Sequence, residues 1–146
     1  MKLQGAIFDC PATLLDSAGI PLPGVDRFLA LMKMDDVWMY LVTESDRQTT
    51  MDALARAGLS NYFRGILSAP EHKLTITSPE LYVKAVKRLR TSPRATLVFT
   101  TQERIVRALS PEGIQVVLVG ENHSEETLRL ATEYITDYRA MSQLFY

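Results

Sequence analysis

The sequence predicts an α/β protein, a doubly wound parallel sheet of the Rossmann type, and three observations carry that prediction. Short, near-continuous apolar runs recur along the chain, at residues 37–42, 95–100 and 114–119, as strands buried on both faces require. Stretches with helical spacing of apolar residues separate them. The links between the two are short, and such alternation puts a parallel sheet in the middle and ligands at the carboxyl ends of the strands. The 146 residues fit one domain, residues 1–146, large enough for a sizeable core.

Taken in order, residues 3–13 (LQGAIFDCPAT) read as an apolar strand that delivers Asp9 into a tight loop. The turn-rich GIPLPG of residues 19–24 then precedes a helix. Val25, Phe28, Leu29 and Met32 stand at i, i+3, i+4 and i+7 and should cover the sheet. After the strand at 37–42 a second helix is expected to turn Met51, Leu54 and Ala55 inward and to stop at Gly58. Residues 65–68 make a third strand. Ser78, Pro79 and Glu80 open a helix as N-cap, first-position proline and first-turn acid, with Tyr82, Ala85, Val86 and Leu89 as its buried stripe. A fourth strand at 95–100, a short helix at 102–109 and a fifth strand at 114–119 follow. Residues 121–130 are a polar loop or helix. The tail from Glu133 to Tyr146 is expected to hold a brief sixth strand at Tyr134 and Ile135 and a closing helix.

Composition narrows the function classes. Hydrophobic residues make up 47%, charged residues 23%, and the net charge is −1, ordinary for a soluble globular protein. No basic stripe argues for nucleic acid, because Lys84, Lys87, Arg88 and Arg90 read as the solvated face of one helix. A single cysteine excludes an internal disulfide and a Cys-based zinc cluster. Beside Asp9, Cys10 reads as a packed side chain with no neighbouring His to activate it. No apolar run approaches the ~20 residues of a membrane helix, and residues 1–8 are too short for a signal peptide. The cytoplasm is the expected compartment. Trp38, Met34, Met39 and the terminal Leu144, Phe145 and Tyr146 leave apolar side chains that serve either a dimer or the core, so oligomeric state stays open.

Asp9, Thr13, Leu14, Leu15, Asp16 and Ser17 sit in an order that resembles hhhhDxDGTLxDS, the opening motif of the haloacid dehalogenase (HAD) superfamily. The resemblance implies a HAD-like core, similar to phosphoglycolate-phosphatase-type hydrolases, in which Asp9 is the catalytic nucleophile; the plainer reading is a strand-end Asp that caps a turn. The general acid and base two residues later is replaced by Pro11, which has no proton to give. Thr43, at the end of the second strand, matches the second motif, so Thr43 with Glu44 is the implied phosphate-binding pair, although Thr is also common ahead of a helix. The third-motif lysine falls on Ile76 when TSPELYVKA is aligned. Lys73 is a substitute on a flexible stem or simply a solvated loop lysine. The fourth motif's acids give way to Thr100, Thr101 and Gln102, with Thr101 at the position of the metal-binding Asp. Mg2+ would then be held by Asp9 and the Pro11 backbone carbonyl, with Glu44 and Glu103 as further candidates, and its binding is expected to be weak or absent. A Glu at a helix start, as Glu103 is, more often serves the helix dipole.

Thr43 follows Asp9 by only 34 positions, too few for an inserted cap domain. An open, capless site implies a phosphorylated small molecule or a protein partner that closes over it. With acid, lysine and metal ligand replaced together at Pro11, Ile76 and Thr101, the expected function is a pseudoenzyme, a pseudophosphatase serving as a binding or interaction module. The alternative is a low-activity phosphomonoester hydrolase with Asp9 as nucleophile, and more remotely a metal-free dehalogenase-like hydrolase. A receiver domain fits poorly, because its phosphorylated Asp and its Lys would fall on Ser68–Ala69 and Gly120–Glu121.

Overall fold

The computed structural model describes residues 2–139 and 141. Six parallel strands form one sheet: β1 (Gly5–Cys10), β2 (Trp38–Thr43), β3 (Ile66–Ser68), β4 (Thr96–Thr100), β5 (Gln115–Val119) and β6 (Glu133–Ile135). Their spatial order is β3-β2-β1-β4-β5-β6. The order reverses between β1 and β4, the switch point at which doubly wound sheets open a crevice for ligands. Helices α1 (Val25–Met34), α2 (Arg47–Arg56), α3 (Pro79–Leu89), α4 (Glu103–Leu109) and α5 (Glu125–Leu130) connect the strands.

Alternation along β1 divides the core. Ala6, Phe8 and Cys10 join Phe28, Leu29, Met32, Leu97 and Phe99 on the α1/α2 side, whereas Ile7 packs with Tyr82, Ala85, Val98 and Ile105 on the α3/α4 side. Successive side chains of a strand point to opposite faces, so Asp9 shares the parity of Ile7 and heads toward α3 and α4. Phe8 and Phe99 stack at 4.6 Å between centroids, and register pairs Phe8 with Phe99. The next residue on each strand is therefore Asp9 beside Thr100.

One expectation changes. In α2 the buried residues are Thr50 and Leu54, with Met51 and Ala53 partly buried, and Ala55 faces solvent. Thr50 goes inside because its hydroxyl is satisfied twice, by the Asp46 carbonyl at 3.1 Å and by Thr43 at 3.0 Å. After β6 residues 136–138 are bends and 139 a turn, with Tyr138 buried in the core; most of the stretch in which a closing helix is expected lies outside the described residues. Leu144, Phe145 and Tyr146 lie outside the described residues. Of the other apolar side chains raised for a dimer, Met39 is buried while Met34 and Trp38 are exposed, with the Arg64 guanidinium 4.0 Å above the Trp38 ring.

Candidate active site

Asp9 is the penultimate residue of a fully buried strand and is itself only 4% exposed. Every hydrogen bond its carboxylate receives from the described residues goes to Oδ2. Thr100 Oγ1 donates at 2.9 Å, the Thr101 N–H at 3.4 Å and the Thr101 hydroxyl at 3.5 Å. The Gln102 N–H donates to Thr100 Oγ1 at 3.0 Å, which commits the Thr100 proton to Asp9. No described residue donates to Oδ1, and no buried side-chain oxygen lacks a partner. Oδ1 is thus the oxygen that meets solvent.

Burial pushes the Asp9 carboxyl up to about 6, against the lowering pull of Thr100 and Thr101, and the Glu44 charge adds to the rise. Desolvation wins because the three donors are neutral and no cation offsets the lost hydration. The same burial, helped by the Asp9 charge, lifts the Cys10 thiol to about 12 and leaves it an inert packed group. Tyr82, buried beside Asp9 and Thr100, is also raised by burial first and by Asp9 second; its hydroxyl donates to the Ile76 carbonyl at 2.8 Å.

The loop after β1 is built on its own carbonyls. The Pro11 carbonyl accepts from the N–H groups of both Leu14 (2.9 Å) and Leu15 (2.8 Å), which uses the two lone pairs a metal would need. As a neutral ligand for Mg2+ it is already engaged. Thr13 donates its hydroxyl to the Asp9 carbonyl, and the wholly buried Tyr138 donates to the Thr13 carbonyl at 2.7 Å. The second contact is not readable from spacing, since Tyr138 lies 125 positions from Thr13.

The remaining predicted residues scatter. Thr43 is paired with Cys10, not Asp9, and follows the α1/α2 parity of Met39 and Leu41. Its hydroxyl is fully buried, shared with Thr50 and capped by the Ser45 N–H at 3.1 Å. Glu44 reaches across to accept the Ile76 N–H at 2.8 Å, so the position expected to hold a lysine supplies a backbone donor to a carboxylate. Lys73 is exposed, in a left-handed turn at φ 56°, and its side chain makes no hydrogen bond or ion pair among the described residues. Glu103 faces away toward α5: Ser124 Oγ donates to it at 2.7 Å and His123 Nδ1 lies at 3.4 Å. Bonds from Thr127 and Ser124 hold its carboxyl down at about 2. Thr100 is the residue the sequence undervalued, and the signal for it was there: the last residue of the strand that neighbours β1 must stand beside Asp9.

A buried aspartate near the end of β1 thus stands at the switch point of this sheet, and comparison with known proteins identifies the family. The model for haloacid dehalogenase-like hydrolases matches residues 6–100. A phosphorylated carbohydrates phosphatase of Thermotoga maritima is 27% identical over 93 residues, which span 64% of this chain and 43% of that protein. The matched stretch is thus less than half of the relative's length. The CbbY protein of Rhodobacter sphaeroides, solved in complex with phosphate, superposes with a TM-score of 0.78 at 14% identity, over 95% of this chain and 96% of that one. The L-2-haloacid dehalogenase of Xanthobacter autotrophicus gives 0.69 at 13% identity, over 87% and 81%. At these identities the structures speak for the fold. The chain belongs to the haloacid dehalogenase-like hydrolase family.

Phosphatases of this family typically use Mg2+, and the donor set around Asp9 fits that ion poorly. Mg2+ wants near-octahedral oxygen ligands with one or two carboxylates at its centre. Here the Pro11 carbonyl is occupied, Glu44 is tied to Ile76, Glu103 is tied to Ser124, and hydroxyl donors fill the fourth-strand positions. No group of three or more His, Cys, Asp or Glu side chains gathers for a metal among the described residues. No described helix is long and apolar enough to cross a membrane.

Proposed function

We propose that this chain is a HAD-fold protein without phosphoryl-transfer turnover, a pseudophosphatase whose open strand ends serve as a binding module. The observation that carries the reading is the way Asp9 is held: by neutral hydroxyl and amide donors on Oδ2, with Glu44 as the charge that acts on it. Transfer of a phosphoryl group to a carboxylate needs its equatorial oxygens neutralised and its leaving oxygen protonated. Ile76 offers no cation for the first task, and Pro11 no proton for the second. Repulsion between an incoming dianion and the Asp9 and Glu44 carboxylates works against even the encounter.

One observation favours a second reading, a slow hydrolase with Asp9 as nucleophile: Oδ1 is left without a partner, as an attacking oxygen must be. Single-turnover phosphate release from acetyl phosphate and p-nitrophenyl phosphate separates the two, with Mg2+ titrated and Asp9→Asn as control. The proposal expects no release above the Asp9→Asn background at any Mg2+ concentration. Metal-dependent release that disappears in Asp9→Asn would overturn it.

A further inference from the structure

We propose that the solvent face of α3 and α4 docks an acidic segment of another protein, a role separate from anything that happens at Asp9. Seven of the sixteen Lys and Arg residues lie between positions 81 and 111, against one of the seventeen Asp and Glu residues, so this stretch carries +6 in a chain whose total is −1. The rest of the chain carries −7. Both helices cover the same side of the sheet, since Leu81, Tyr82 and Val86 of α3 share one apolar cluster with Ile105, Val106 and Leu109 of α4. Their exposed residues therefore look outward together. The Arg94 stem comes within 3.6 Å of where a Cβ on Gly113 would lie, which brings that cation beside the turn that follows α4.

Helix stability does not account for these charges. Cations in a last helical turn complement the helix dipole, which explains Lys87 and Arg88 in α3 and Arg107 in α4. Arg104 stands in the first turn of α4, where the dipole opposes it. Arg90 ends α3 in the left-handed region at φ 60°, a place that glycine takes at less cost. Lys84, Lys87, Arg88, Arg90, Arg94 and Arg104 make no side-chain hydrogen bond or ion pair among the described residues, whereas Arg107 is held by Glu126 at 2.8 Å. Between the two helices lies a cavity of about 360 Å3, with Val83 and Ala108 as its apolar ground and Lys84 and Lys87 as its rim. A helix laid in such a groove gives it apolar side chains at the floor and carboxylates at the rim. Glu80 and Glu112 also border the cavity, so the partner's carboxylates belong beside Lys84, Lys87 and Arg104 and not along its whole length. A nucleic-acid backbone fits less well. The exposed positions of both helices carry no aromatic side chain on which a base could stack, and a long polyanion would run off this face into surroundings of its own sign.

Fluorescence anisotropy of a labelled, three-turn amphipathic peptide of Glu and Leu tests this, with its Gln-for-Glu counterpart, a poly-uridine oligomer and phosphatidylserine vesicles in parallel, while 15N spectra of the protein locate the contact. The Glu peptide should shift the amides of Val83, Lys84, Arg104 and Ala108, and it should bind more weakly as salt rises from about 20 mM to about 300 mM. Lys84→Glu and Arg104→Glu, both on exposed side chains, should each weaken binding about threefold or more and together about tenfold or more. Arg27→Glu makes the same charge change on α1, across the sheet, and should leave affinity within about twofold. An equal loss in Arg27→Glu, or a Gln peptide that binds as tightly as the Glu peptide, overturns the inference, as does a Glu peptide that shifts no amide of α3 or α4. Poly-uridine or vesicles that bind this face more tightly than the peptide overturn the choice of a protein partner.

Discussion

Replacing Asp9 by Asn should raise stability relative to the unsubstituted protein by an amount that grows as pH rises above 4. The carboxyl sits at about 6 in the folded chain against an ordinary 3.8, so between those values the folded state holds a proton that the unfolded state has lost. Stability from this group is complete below about pH 4 and falls away as pH rises through 6. The gap, at 1.36 kcal/mol per pH unit, is worth about 3 kcal/mol by pH 8. Asn cannot titrate, yet it can turn its carbonyl oxygen to the Thr100 and Thr101 donors that now serve Oδ2. Any fixed difference between the two side chains is the same at every pH. Urea unfolding of both proteins from pH 4 to pH 8 therefore isolates the effect as a growing difference. With a slope of about 2 kcal/mol per molar urea, the Asn midpoint should move ahead by about 1 to 2 M over that range. A difference that stays flat with pH, or that favours Asp9 as pH rises, would refute the claim that burial dominates the site.

Further outcomes follow from neighbouring contacts. Thr100→Val keeps the shape but removes the donor to Asp9 and strands the Gln102 N–H; it should cost about 1–3 kcal/mol at pH 8 and less at pH 4, where the carboxyl is protonated, by the same unfolding assay. Gly24→Ala should cost about 2 kcal/mol or more, since at φ 80° an added Cβ would lie 2.7 Å from the backbone of Tyr138 and Arg139. At Gly19, with φ 79° and open space, the same change should cost only about 1 kcal/mol, so the pair separates close approach from backbone strain. Cys10, 2% exposed with its thiol pushed up to about 12, should react with a disulfide reagent at pH 8 only as fast as the chain opens, and promptly in 6 M urea.

The sheet was readable because strands buried on both faces must be apolar at every position, which leaves no parity to misjudge. Helix α2 was misread because alanine is indifferent to its side: Ala55 faces water, while Thr50, polar by type, is buried on the strength of two hydrogen bonds. In the site, Asp9 was legible from its place after an apolar run. Thr100 and Thr101 were read as missing acids when their own chemistry is that of donors. The Glu44 contact to Ile76 and the Tyr138 contact to Thr13 join residues 32 and 125 positions apart. They depend on how loops return over the strand ends, which no local pattern encodes.

The energetics of Asp9 bear on what the site is for. Asn would offer Thr100 and Thr101 the same acceptor without the desolvation that lifts the carboxyl to about 6, so the hydrogen bonds to Oδ2 give no reason for a charge. Packing gives none either, because the two side chains have nearly the same volume. What a carboxylate has and an amide lacks is a second anionic oxygen, and that is Oδ1, the atom the fold leaves unpaired. A buried charge that costs stability and lacks a resident partner marks a functional group more often than a structural one.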